Sequence, residues 1–176
     1  MAKLRERAKC NVASYDYPGY GFLYPDKRRS FAANAKVALE AFYAMLERAP
    51  DGAQVILVGY SLGGCPTMYL AREMATRIHA IVLIDPITSL ARRVAKKYTN
   101  LSKLLWSSCN TLAALATTAI TTTVIQGDMM GKTTWPENVR VVGSIDSPHM
   151  YLLENEETRK EVVRVLDEMG KLPRNA

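Results

Sequence analysis

Val55-Ile56-Leu57-Val58-Gly59-Tyr60-Ser61-Leu62-Gly63-Gly64 decides how this chain is read. Its four leading apolar residues form a strand pattern, and Met68-Tyr69-Leu70-Ala71-Arg72-Glu73-Met74 just beyond it reads as a helix. Between them stands a serine with a glycine two places before and two places after. A sharp turn from strand to helix strains the backbone of its central residue and crowds the positions two away, so Gly59 and Gly63 remove the bulk that would collide. The same turn aims the Ser61 hydroxyl out of the sheet. It also sets the Leu62 N–H at a helix start, where it can stabilise a developing oxyanion. Ser61 is therefore the candidate nucleophile, and Leu62, Gly59 and Gly63 are its elbow.

Upstream of the elbow, residues 3–9 read as the tail of a helix and Asn11-Val12-Ala13-Ser14-Tyr15 as a strand. That strand ends in the turn-rich loop Asp16-Tyr17-Pro18-Gly19-Tyr20-Gly21. Ser30 caps a helix with Val37, Leu39, Phe42, Met45 and Leu46 on one face, and Pro50-Asp51-Gly52 stops it. Downstream, Ala80-Ile81-Val82-Leu83-Ile84 is an unbroken apolar run of the kind found in parallel strands covered on both faces. Asp85-Pro86 ends it. Helical segments follow at 88–98 and 101–116, then strands at 121–126 and Val139–Val142. A last amphipathic helix at 156–169 turns Val162, Val163, Val165, Leu166 and Met169 inward. Strands alternating with helices imply an α/β fold with a mainly parallel sheet flanked by helices. The 176 residues suffice for a single domain over 1–176 with a sizeable core.

The net charge of +6 comes partly from clusters at Lys3 to Lys9, Lys27 to Arg29 and Arg92 to Lys97. They lack the interleaved aromatics of a stacking surface, so no nucleic-acid partner is expected. They read as solvated helix faces, with peripheral attraction to an anionic membrane as a secondary consequence. Cys10, Cys65 and Cys109 show no paired spacing, which indicates neither a zinc site nor a disulfide framework. A reducing, cytoplasmic setting fits this usage, with Cys65 as a small buried thiol in the elbow helix. Met1 to Cys10 is not followed by the apolar stretch of a signal peptide. The uncharged segment from Leu104 to Gly127 has the length of a membrane span, but its Thr and Ser residues with Asn110 and Gln126 make it a helix followed by a strand.

The Asp-Tyr-Pro-Gly-Tyr-Gly loop at 16–21, the Gly-Tyr-Ser-Leu-Gly-Gly elbow at 59–64 and Leu83-Ile84-Asp85-Pro86-Ile87-Thr88-Ser89 together resemble the α/β-hydrolase superfamily over nearly the whole chain. The likeness is greatest to its serine hydrolases of the esterase, thioesterase and depalmitoylase kind. This resemblance implies that Ser61 is the nucleophile and that His149, in the loop after the last strand, is the general base. His79 stands at the start of a strand, remote from such a site, and is expected to be structural. For the acid, Asp128 follows the glycine that ends the strand at 121–126 and keeps the order Ser, Asp, His. Asp85, at the end of an earlier strand, is the alternative, and Asp146 lies near His149 in sequence. The family also carries earlier strands, one ending in a His-Gly motif that lends a second oxyanion donor, and this chain begins too late to contain it. Either the strand at 11–15 pairs directly with the elbow strand or the chain is an incomplete fragment.

Two expectations follow. The first is a serine hydrolase of a small-molecule or acyl-chain ester or thioester, needing no cofactor and no metal, with Leu104, Leu105, Trp106, Leu112 and Leu115 either lining a cap or packing as an ordinary helix. The second is a catalytically weak or inactive hydrolase-derived binding or regulatory protein. In both, a sheet edge left by absent strands invites a homodimer or a partner strand.

Overall fold

The computed structural model describes residues 6, 10–20, 31–88, 110–127, 133–144 and 148–171. Eight main elements follow one another among the described residues. They are α1 (Phe31–Leu46), β1 (Ile56–Tyr60), α2 (Gly64–Glu73), β2 (Ala80–Ile84), α3 (Thr111–Thr117), β3 (Thr121–Gln126), β4 (Val139–Ser144) and α4 (Glu156–Gly170). The strands form one parallel sheet in the order β1-β2-β3-β4.

Pleating sends alternate residues of each strand to opposite faces, and both faces are covered. On one face Ile81, Leu83, Val124 and Val139 pack with Phe42 of α1, Met68, Leu70 and Ala71 of α2 and Leu115 of α3. On the other, Ala80, Val82, Ile84 and Ile125 pack with Val162, Val165, Leu166 and Met169 of α4. All five residues of β2 are buried, which explains its unbroken apolar sequence. Each such side chain withdrawn from water contributes about 1.5–3 kcal/mol, so β2 is the centre of the stabilisation as well as of the packing.

The helix ends are chemically marked. Asn110 caps α3 by accepting from the Ala113 N–H at 3.1 Å, and Asn155 caps α4 by accepting from Glu157 and Thr158. Glu156 and Glu157 in the first turn of α4 complement its dipole. Within the stretch from Leu104 to Gly127 the described part is α3 followed by β3, and among the described residues no helix is long and apolar enough to cross a membrane.

The strand expected at 11–15 does not form. Residues 11–17 have no regular secondary structure, and among the described residues β1 pairs only with β2. The segment offers little apolar surface to a sheet, and Tyr15 instead donates to Asn34 Oδ1 of α1 at 3.1 Å and packs beside the first core cluster. Leu115 is fully buried in that cluster, so it belongs to the core rather than to a cap; Leu104, Leu105 and Trp106 lie outside the described residues. Cys65 is buried as expected but is disulfide-bonded, where its sequence context pointed to a free thiol. The helices expected at 88–98 and before Asn110, and the Ser30 cap, also lie outside the described residues.

Candidate active site

Register creates the site. Tyr60 of β1 pairs with Ile84 of β2, each the last residue of its strand, so the next residues, Ser61 and Asp85, leave the sheet side by side. Both leave it in the same unusual way. Ser61 has φ 52° and Asp85 has φ 40°, the two positive values among the described non-glycine residues. The left-handed region costs an L-residue about 1–2 kcal/mol and persists only where its surroundings enforce it. Here the Ile87 N–H donates to the Ser61 carbonyl at 3.1 Å, and the Asp85 N–H donates to the Ile125 carbonyl at 2.8 Å.

Space at the elbow is divided unevenly. A Cβ on Gly59 would lie 2.6 Å from Thr67 Oγ1 and 3.0 Å from the Gly63 carbonyl oxygen, so no side chain fits. On Gly64 it would lie 3.1 Å from Pro86 Cβ. On Gly63 its nearest neighbour would be the Tyr17 hydroxyl at 3.6 Å, an ordinary contact. The tight pair is therefore Gly59 and Gly64, and the expectation that Gly63 clears a collision is corrected. The same Tyr17 distance puts the 16–20 loop beside the elbow. Leu62 lies in the 3-10 turn Ser61–Gly63 that opens α2, where the first amides of a helix have no intrahelical partner.

His149 opens the 3-10 turn His149–Tyr151 beyond β4 and bridges the two strand ends. Its Nδ1 is 2.5 Å from Asp85 Oδ2 and its Nε2 is 2.8 Å from Ser61 Oγ. A carboxylate only accepts, so Nδ1 carries the proton and Nε2 presents its lone pair to the serine hydroxyl. Asp85 is fully buried, and its other oxygen accepts from the Gly127 N–H at 3.3 Å. Such an imidazole can take a proton from the hydroxyl while the buried carboxylate stabilises the imidazolium that results.

The carboxylate on His149 is thus that of Asp85; Asp128 and Asp146 lie outside the described residues. The glycine that directed attention to Asp128 has another task. A Cβ on Gly127 would come within 2.9 Å of Leu152 Cδ2 and 3.2 Å of the Asp85 carboxyl carbon, so its bareness is what lets that carboxylate lie where it does. Sequence reasoning missed Gly64, the packing role of Gly127, and Tyr60, whose ring stacks on His149. The one signal that could have found Tyr60 is its position directly before Ser61. His79, at the far end of the sheet, is buried and bonded through Nε2 to the Met169 carbonyl at 2.9 Å, away from this cluster.

The Est1E protein from Butyrivibrio proteoclasticus, solved with ferulic acid, superposes with a TM-score of 0.61 at 12% identity, covering 87% of this chain and 73% of that one. A thermophilic esterase from Thermogutta terrifontis gives 0.62 at 14% identity, over 89% and 79% of the two chains. A monoacylglycerol lipase from Paleococcus ferrophilus gives 0.61 at 13% identity, over 96% and 87%. At these identities the likeness establishes a shared fold. The family model described as "Alpha/beta hydrolase family" matches residues 1–167, nearly the whole chain. With a parallel sheet, a serine at the strand-to-helix turn and that match together, the chain belongs to the α/β-hydrolase family.

Proposed function

We propose that the chain is a serine hydrolase of a carboxylic ester or thioester, acting through an acyl-enzyme on Ser61, with His149 as general base and Asp85 as the acid that orients it. The observation that carries this reading is the unbroken contact from Asp85 through His149 to Ser61 at 2.5 and 2.8 Å. Ser61 Oγ attacks the carbonyl carbon as His149 Nε2 takes its proton, and the oxyanion is met by the Leu62 N–H. The tetrahedral adduct collapses, the C–O or C–S bond breaks, and His149 returns the proton to the leaving alcohol or thiol. Water, deprotonated by the same nitrogen, then frees the acid.

A small-molecule or acyl-chain substrate suits this site. A cavity of about 470 Å³, the size of a small-ligand pocket, is lined by Thr88, three residues beyond Asp85, with Leu112, Ala113 and Trp135, and Ser61 and His149 are not part of its lining. The Paleococcus lipase and the Est1E protein act on or bind acyl esters and a phenolic acid by their names, and this supports an ester rather than an amide. Peripheral membrane contact through the basic clusters at Lys3 to Lys9, Lys27 to Arg29 and Arg92 to Lys97 belongs to the same proposal, as does pairing of the side of β1 away from β2 with a second copy. Light scattering that shows a monomer at high concentration would remove the last element.

The test is labelling of the purified chain by a fluorophosphonate probe beside Ser61→Ala and His149→Ala, with a p-nitrophenyl ester series in parallel. Labelling of the wild type that both substitutions abolish is the expected result. A folded wild type that neither labels nor turns over any ester would sink the proposal and leave a hydrolase-derived binding protein.

A further inference from the structure

Tyr60 occupies the position directly before Ser61 and faces the side of the sheet covered by α4, with Ile56 and Val142 as companions at that cluster's margin. Its ring lies over the imidazole of His149, with centroids 5.1 Å apart and planes inclined by 20°. Its hydroxyl donates a short hydrogen bond to the main-chain carbonyl of His149. Burial, and then the charge of Asp85, push the phenol's pKa up, so it stays a donor.

The two hydrogen bonds at the imidazole nitrogens define a line through the ring. They fix where Nδ1 and Nε2 point but leave the ring free to tilt about that line. His149 also sits in a turn of only three residues, a weak support for a group that must hold its place to a fraction of an ångström. A flat partner on the ring face removes the tilt, and a hydrogen bond to the histidine's own carbonyl holds the turn. Tyr60 supplies both. It also lies one peptide bond from Ser61 and opposite Ile84, the residue before Asp85, so one side chain ties the base to the strand pair that carries its two partners.

We propose that Tyr60 is a positioning residue for His149, restraining the ring from its face and its turn from the carbonyl. The proposal rests on the serine hydrolase reading for its kinetic consequence, and a spectroscopic readout separates the two. The full chain and its Tyr60→Leu and Tyr60→Phe variants are compared by thermal unfolding, fluorophosphonate labelling rate, ester kinetics, and the low-field proton NMR resonance of the His149 Nδ1–H, assigned with His149→Gln.

A stacked pair and one hydrogen bond are each worth enough to change a rate severalfold. Tyr60→Leu is expected to lower kcat and the labelling rate together by about tenfold with KM unchanged, and to weaken or broaden the low-field resonance. Tyr60→Phe, which keeps the ring, is expected to recover most of both, to within about threefold of the wild type. If the wild type shows the resonance and Tyr60→Leu loses it while neither reacts with probe or ester, the positioning stands and the hydrolase reading falls. A resonance and rates in Tyr60→Leu indistinguishable from the wild type would overturn the proposal. So would equal losses in Phe and Leu variants that track a lowered unfolding temperature, since these mark a packing role alone.

Discussion

His79 and His149, the chain's two histidines, stand at opposite ends of one parallel sheet and hold opposite tautomers. His79 precedes β2, and its Nε2 faces the Met169 carbonyl, which only accepts, so that nitrogen carries the proton. Its own N–H donates to the Val55 carbonyl at 2.8 Å, pinning the entry of β2 beside β1. His149 gives its Nδ1 proton to Asp85 and turns an unprotonated Nε2 to Ser61. At one end the imidazole ties a helix terminus to the sheet. At the other it is left with a basic nitrogen against a hydroxyl. The backbone marks the same division, for the strained residues Ser61 and Asp85 both stand at the C-terminal strand ends. In open parallel sheets the loops beyond those ends are where ligands bind, and strain is kept where chemistry needs an unusual direction.

The strongest way to break this contrast is to remove the reactive end. On the proposed mechanism nucleophile and base act as one unit, so Ser61→Ala and His149→Gln are each expected to lower kcat by about 10⁶-fold while the circular dichroism spectrum stays native. Double substitution should cost hardly more than either one, and additive losses in kcat would show that the two side chains act separately. Next in size is the acid. Asp85→Asn keeps the shape of the group but removes the charge that fixes the tautomer, and a loss of about 10⁴ in kcat is expected. Asp128→Asn should leave kcat within about twofold, because the carboxylate on His149 is that of Asp85. A larger loss for Asp128→Asn than for Asp85→Asn in parallel steady-state assays would return the acid to the position that chain order suggests.

That choice between aspartates marks where the sequence stops being informative. Runs such as Ala80–Ile84 and the spacing of Val162, Val165, Leu166 and Met169 show their elements directly, because burial on one or both faces leaves a periodic trace. The elbow is equally visible, since strand, glycine, serine and helix are contiguous. The strand expected at 11–15 fails because alternation over five residues says nothing of whether a partner edge accepts them, and Tyr15 has a competing bond to Asn34. The carboxylate on His149 is set by register. Only the pairing of Tyr60 with Ile84 puts Asp85 beside Ser61, and pairing across 24 residues leaves no local mark. The glycine at 127 misleads for a related reason, being required by Leu152 and Asp85, which are distant in sequence.

Gly127→Ala sharpens the comparison by moving one partner of His149 without altering any reactive group. The new methyl would press on Leu152, which is fully buried and cannot yield, and on the Asp85 carboxyl. Overpacking of this kind costs about 1–3 kcal/mol, and a displaced carboxylate is expected to lower kcat by about 10²-fold with little change in KM. Crystallography or the His149 Nδ1–H resonance checks the displacement; full activity with a shifted carboxylate would mean that the orientation of His149 does not depend on Asp85.

The smallest effect is expected at the other histidine. His79→Leu keeps the space filled but carries no donor for the Met169 carbonyl in the last turn of α4, so one buried hydrogen bond is lost. Such a bond contributes about 1 kcal/mol, which for a chain of this size lowers the unfolding midpoint by about 2–4 °C. Catalytic constants should stay at the wild-type value, because His79 and Ser61 stand at opposite ends of the sheet and the Met169 contact lies at the His79 end. Calorimetry and ester kinetics on the one variant therefore test both halves of the contrast. A midpoint that does not move would show that the Met169 contact holds nothing. A fall in kcat with KM and stability unchanged would show that the two ends of the sheet are coupled through α4, and that the division between a structural and a reactive histidine is false.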